Sequence, residues 1–141
     1  MQELTDFLCF QLGVAARKLH KYYNSKFSSY GITLTQSFII FSLLTRDGQS
    51  IKSLAENLYL ESPAVTGLVD RLEKEKLLER RADTGDRRAL KVFLTPRGRE
   101  LAEQLEPIAN EFNERLKLAL APEQGDLLAK LMAGLDEAME Q

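Results

Sequence analysis

The residues of this sequence whose types and spacing could do chemistry are mostly cations. Arg71 and Lys74 stand three apart, so a helix through them puts both on one face. Arg87-Arg88 close the run Ala82-Asp83-Thr84-Gly85-Asp86, which is rich in turn formers. Guanidinium and ammonium groups displayed in this way bind phosphate oxygens and base edges. An enzyme would need a nucleophile beside a base, or a bound metal. A single His20, a single Cys9 and the lack of a glycine-rich phosphate loop supply neither, so the sequence predicts no catalytic residue, no metal and no cofactor.

Two elements must position the cations. The first is a helix opening at Ser62, read as N-cap, with Pro63 at the first helical position, where its missing N–H costs nothing. Val65, Leu68, Val69 and Leu72 recur at i, i+3, i+4 and i+7 and form a buried stripe. Pro63, Thr66, Gly67, Asp70, Arg71 and Lys74 take the opposite face, which is short-chained at the front and cationic further along. That is the form of a helix whose front end meets base edges and whose flank meets phosphates. The second element is a hairpin of Leu77 to Arg81 and Ala89 to Leu94, in which Leu90, Val92 and Leu94 alternate with Ala89, Lys91 and Phe93. Its tip exposes Arg87 and Arg88, and arginine on a thin ribbon suits the negative potential of a narrow minor groove. A cationic helix face alone is equally an ordinary solvated face; the conjunction with an Arg-tipped hairpin points to DNA.

The totals agree with this reading once their distribution is considered. Of the 141 residues, 44% are hydrophobic and 28% charged, which is normal for a soluble globular chain and excludes wholesale disorder. No apolar run approaches the ~18 residues of a membrane span, and the first ten residues carry Glu3 and Asp6 in place of a basic leader. The expectation is a cytoplasmic protein with no membrane contact, and one cysteine excludes an internal disulfide. The net charge of −2 conceals an asymmetry: residues 70–99 hold ten Lys and Arg against six acids, whereas residues 100–141 hold three against ten. A basic middle and an acidic tail reconcile the acidic total with nucleic-acid binding.

In chain order, apolar spacing from Leu4 to about Tyr30 predicts one long helix stopped by Gly31. Thr33-Leu34-Thr35-Gln36 has the spacing of a capping box and opens a helix that is apolar on nearly every side, through Phe38, Ile39, Ile40, Phe41, Leu43 and Leu44. Ser50 caps a short third helix, and Tyr59-Leu60-Glu61 turns into the Ser62 helix. After the hairpin, Thr95-Pro96 starts a helix reaching about Leu118, with Pro107 bending it, and Pro122 starts the last. The expected fold is mainly α with a small β-hairpin wing. A winged helix-turn-helix over residues 32–95 is flanked by dimerisation helices at 1–31 and 96–141. The apolar surface of those flanks predicts a homodimer with its two Ser62 helices about 34 Å apart, matching a pseudo-palindromic site on double-stranded DNA.

The run Ser50 to Gly98 resembles the MarR family of transcriptional regulators. The likeness is carried by Leu54-Ala55, Ser62-Pro63-Ala64-Val65-Thr66, Val69-Asp70-Arg71-Leu72-Glu73, Arg80-Arg81, Asp86-Arg87-Arg88 and Leu94-Thr95-Pro96-Arg97-Gly98. The resemblance implies a dimeric regulator, usually a repressor released from its operator by a small molecule or by oxidation. It also gives Asp86 the role of supporting the wing loop and Arg88 that of entering the minor groove. It places a ligand pocket between the dimer helices and the DNA-reading unit, where Leu12, Ala16, His20, Phe38 and Phe41 are the expected walls. Arg17, His20 or Arg46 would meet the charge of an aromatic or lipophilic acid.

A finer likeness joins Leu8-Cys9-Phe10 to the organic-hydroperoxide-sensing branch of that family, with Tyr23 where a thiol-contacting tyrosine would fall. The sequence departs from that branch at Leu34 and Gly13, where further tyrosines would stand. The expected function is a dimeric DNA-binding repressor released by a small lipophilic or phenolic ligand. The alternatives are a repressor switched by oxidation of Cys9, and a winged-helix protein-interaction module that does not bind DNA.

Overall fold

The computed structural model describes residues 2–141, and among these the fold is mainly helical with one small antiparallel hairpin. The order is α1 (Leu8–Phe27), α2 (Leu34–Thr45), α3 (Ile51–Leu58), α4 (Ser62–Lys74), β1 (Leu78–Ala82), β2 (Leu90–Leu94), α5 (Pro96–Ala119) and α6 (Pro122–Met139). It divides into two compact units, one ending at Leu105 and the other running from Glu106 to Gln141.

The expected single helix from Leu4 to Tyr30 is interrupted. A 3₁₀ turn at Leu4–Asp6 is followed by an extended Phe7, α1 begins only at Leu8, and a second 3₁₀ turn spans Ser28–Tyr30. The apolar spacing continues across Phe7 although the backbone does not, and the Gln11 side chain donates to the Thr5 carbonyl at 2.8 Å across the break. Gly31, at φ +70°, supplies the left-handed stop that a side chain would disfavour. The capping box of α2 is complete: Thr33 Oγ1 accepts from the Gln36 N–H at 3.2 Å and Gln36 Oε1 accepts from the Thr33 N–H at 2.9 Å. Ser50 caps α3 by accepting from the Ser53 N–H at 3.0 Å. Ser62 does not cap α4. The cap position belongs to Glu61, and Ser62 and Pro63 both lie inside the first turn, so the helix starts one residue earlier than the spacing predicts.

The core of the first unit gathers Ile39, Ile40 and Leu43 from α2, Leu54 from α3, Val65, Val69 and Leu72 from α4, and Leu78 and Val92 from the hairpin. Phe27, Ala102 and Leu105 close it. α2 is central as expected, but Phe38 on its open side stays exposed. The hairpin pairs Leu78 with Leu94, Arg80 with Val92 and Ala82 with Leu90, each strand lying one residue later than predicted at its start.

Several long-range polar contacts tie these elements together. The Asp47 carboxylate accepts from the Leu94 N–H at 3.0 Å through one oxygen and from Arg99 Nη2 at 2.7 Å through the other. Gln49 extends the hairpin, because its carbonyl accepts from the Val92 N–H at 2.8 Å and its N–H donates back to the Val92 carbonyl. Its buried side chain donates to the Ser42 and Arg46 carbonyls and accepts from Arg46, Ser53 and Asn57, joining the end of α2 to α3. Gly98 sits against the Leu77 backbone so closely that a Cβ there would overlap the Leu77 carbonyl oxygen.

In the second unit, the α6 start is fixed by Gln124 Oε1, which accepts from the Ala121 N–H at 2.8 Å. Leu127, Leu128, Met132, Leu135 and Met139 of α6 are all exposed in the single chain. Pro107, which has no N–H to donate, lies within α5. No single helix among the described residues is long and apolar enough to cross a membrane.

Candidate nucleic-acid interface

α4 buries Val65, Val69 and Leu72 and leaves Ser62, Pro63, Thr66, Gly67, Arg71 and Lys74 exposed. The sorting follows from the 3.6-residue period: one stripe is apolar and the remainder faces out. Gly67 costs the helix about 1 kcal/mol relative to alanine, and no neighbour accounts for it, since a Cβ there would meet nothing within 4 Å. The exposed face is therefore shallow at its middle, which lets another surface approach closely.

Two acids on α4 would oppose a polyanion, and Arg80 of β1 answers both. Its guanidinium pairs with Asp70 through Nη2 and with Glu73 Oε1 at 2.7 Å through Nη1, while its N–H donates to Glu73 Oε2 at 3.1 Å. Burial pulls the guanidinium pKa down, but the hydrogen bonds and charges of Asp70 and Glu73 outweigh it and leave it raised. Arg80 is thus a clamp between wing and helix.

The tip of the wing is built by its aspartates. Asp83 Oδ1 accepts from the Gly85 N–H at 3.2 Å and Asp86 Oδ1 accepts from the Arg88 N–H at 3.0 Å, each closing a turn two residues on. The backbone closes the loop as well, with the Asp83 N–H donating to the Ala89 carbonyl at 2.8 Å. Asp86 is accordingly a loop support, and Arg87 and Arg88 project exposed with no carboxylate partner among the described residues. Other basic residues are committed elsewhere. Arg81 pairs with Glu79 at 2.9 Å and lies 3.8 Å over the Phe93 ring, Lys91 pairs with Asp83 at 3.6 Å, and Arg99 pairs with Asp47. On α4 and the wing tip, Arg71, Lys74, Arg87 and Arg88 are exposed with no carboxylate partner among the described residues.

The residues expected to wall an effector pocket do not all come together. Phe38 and Phe41 line an open cleft of about 530 Å³ with Ser42, Thr45, Arg46, Gln49, Asn57 and Leu58. Leu12, Ala16, Arg17 and His20 lie on α1 and are not part of that cleft; Leu12 and His20 are half-buried, Ala16 and Arg17 exposed. Cys9 is exposed in the first turn of α1. Tyr23 packs against Phe27 at 5.6 Å between ring centres, and burial, then the neighbouring Tyr22, raises its phenol pKa. Cys9 and Tyr23 stand fourteen residues apart on one helix, about 21 Å at 1.5 Å per residue. A contact between them within one chain is therefore excluded.

Gln49, Asp47 and the clamp role of Arg80 went unread in the sequence. For Gln49 and Asp47 the only signal is their place in a turn, and Arg80 reads only as one cation of a basic run.

The arrangement is that of a recognition helix beside an Arg-tipped wing, and comparison with known proteins agrees. A MarR family profile matches residues 32–90. The HTH-type transcriptional regulator SarZ of Staphylococcus epidermidis is 32% identical over 114 residues, covering 78% of this chain and 77% of that protein. The chain belongs to the MarR family. A MarR/EmrR family regulator from Acinetobacter sp. ADP1 superposes with a TM-score of 0.86 at 26% identity, covering 99% of both chains. Overoxidised AbfR bound to DNA superposes with a TM-score of 0.75 at 26% identity, covering 96% of this chain and 94% of that one. The SarZ and Acinetobacter proteins that this MarR-family member is similar to are transcriptional regulators, and AbfR was captured on DNA.

Proposed function

We propose that this regulator is a dimeric repressor that reads a pseudo-palindromic operator and leaves it when a small lipophilic or phenolic acid binds. Ser62, Pro63, Thr66 and Gly67 meet base edges in the major groove, Arg71 and Lys74 meet phosphates, and Arg88, on a loop braced by Asp86, enters the minor groove. The observation that carries this is the conjunction of an exposed α4 face, whose acids are neutralised by Arg80, with two unpaired arginines at the wing tip. Dimerisation falls to residues 1–31 and 96–141, supported by the exposed leucines and methionines of α6, which are too apolar to face water over such a length. A folded monomer in sedimentation at micromolar concentration would contradict the dimer.

For the effector, the support is the cleft at Phe38 and Phe41, whose lining includes Arg46. The test is to titrate the protein with salicylate and follow both its melting temperature and its hold on DNA. A raised melting temperature with weakened DNA binding is expected; no change in either removes this ligand class.

The exposure of Cys9 favours oxidation as a second reading, and AbfR was captured on DNA in an overoxidised state. With no second cysteine in the chain, a sulfenic acid formed on Cys9 by hydroperoxide would pass to a mixed disulfide with a small thiol or to overoxidation. Hydroperoxide titrations of DNA binding for the wild type and Cys9→Ser discriminate the two readings, since identical curves exclude Cys9.

A further inference from the structure

α3 ends on a residue that the chain's own packing does not explain. Tyr59 adopts the left-handed conformation, at φ +55° and ψ +41°, and its N–H reaches the carbonyls of Ala55 and Glu56 while the Leu60 N–H returns to Ala55 at 3.0 Å. This is the helix stop that glycine or asparagine ordinarily supplies. A Cβ bearing an aromatic ring makes that backbone unfavourable. Nor does the ring gain anything from burial, because at 90% exposure it is the most exposed large hydrophobic side chain among the described residues.

Lys76, the other non-glycine residue with positive φ among the described residues, has an internal account. Its carbonyl accepts from Thr95 Oγ1 at 2.7 Å, and its charge suits the C-terminal end of α4. Tyr59 has no such compensation for its side chain. Backbone strain of this kind concentrates where a protein meets its ligand. Tyr59 stands three residues before Ser62, in the turn between the two helices of the helix-turn-helix. In that motif the first helix crosses the DNA backbone while the front of the second enters the major groove.

We infer that Tyr59 is a further DNA contact, its phenol hydroxyl donating to a backbone phosphate at the edge of the groove that α4 enters. Tyrosine hydroxyls are among the groups that fix a protein's register on phosphates without reading sequence. The contact therefore does not require the operator to be known.

The test compares wild type, Tyr59→Phe and Tyr59→Gly as full-length proteins on one mixed-sequence duplex at several salt concentrations, with thermal unfolding of each alongside. Wild-type binding to that duplex is the reference, so its absence would count against DNA binding itself before it touched Tyr59. Tyr59→Phe should bind about tenfold more weakly, the size of a lost hydrogen bond to a charged group. Its salt dependence should be unchanged, because no cation has been removed. Tyr59→Gly should lose at least as much binding while unfolding at the same or a higher temperature, since glycine relieves the left-handed strain. Wild-type affinity in Tyr59→Phe would overturn the inference. A Tyr59→Gly protein that lost binding only together with thermal stability would also overturn it, by making Tyr59 a structural residue.

Discussion

The clamp between Arg80 and α4 gives a prediction whose size can be worked from the geometry. Arg80→Ala removes the ion pairs to Asp70 and Glu73 but keeps the backbone N–H bond to Glu73 Oε2. The Arg80 side chain is 20% exposed, Glu73 40% and Asp70 60%, so solvent screens both pairs and the Asp70 pair more. With each pair discounted to about 0.5–1 kcal/mol, Arg80→Ala should cost about 1–2 kcal/mol of stability. Glu73→Ala should cost a similar amount, because it loses the backbone bond as well as its pair. The double variant should lose less than the sum of the two by about 0.5–1 kcal/mol, which is the coupling of the pair itself. The assay is urea unfolding of wild type, both single variants and the double variant. Effects that add to within about 0.3 kcal/mol would show that Arg80 and Glu73 are not coupled in solution, and the clamp would fail. DNA binding provides a second readout from the same proteins. Arg80→Ala leaves Asp70 and Glu73 unneutralised beside Arg71 and Lys74, so its binding should weaken, and adding Asp70→Ala should restore part of it.

Two further substitutions test the ties that hold the wing to the rest of the first unit. Gln49→Ala deletes a buried amide that serves Arg46, Ser53 and Asn57; it should destabilise by about 2 kcal/mol in urea unfolding, and a loss within experimental error would deny Gln49 its central place. Gly98→Ala drives a methyl into the Leu77 carbonyl and should cost about 1–3 kcal/mol, read as a lower melting temperature; an unchanged one would mean that the start of α5 yields without cost.

Much of this fold was legible because it rests on local physics. The capping box at Thr33 and Gln36, the cap at Ser50 and the proline starts of α5 and α6 need only residues three or four apart, and the apolar stripe of α4 is a matter of period. What escaped depends on partners distant in sequence. Asp47 holds Leu94 and Arg99, 47 and 52 residues away, and nothing in the neighbourhood of Asp47 announces them. Arg80 reads as one more cation in a basic run, and only the packing of β1 against α4 turns it inward. The break at Phe7 was hidden because apolar spacing survives a short non-helical step. Ser62 reads as a cap because its chemistry suits one, whereas the chain enters the helix one residue sooner. For the effector, periodicity located Phe38 and Phe41 on α2 but carried no information about which face of α3 would stand opposite.

The central claim is that the wing tip grips DNA through Arg88. The most direct measurement is the affinity of wild type, Arg87→Ala and Arg88→Ala for an operator selected from random duplexes and for a mixed-sequence duplex, over a range of salt. Arg88→Ala should lose about 1–3 kcal/mol on the operator and less on the mixed duplex, as a specific groove contact requires, whereas a residue touching only phosphate would chiefly lower the salt slope by about one on both. Operator affinity unchanged in Arg88→Ala, at every salt concentration, would contradict the account.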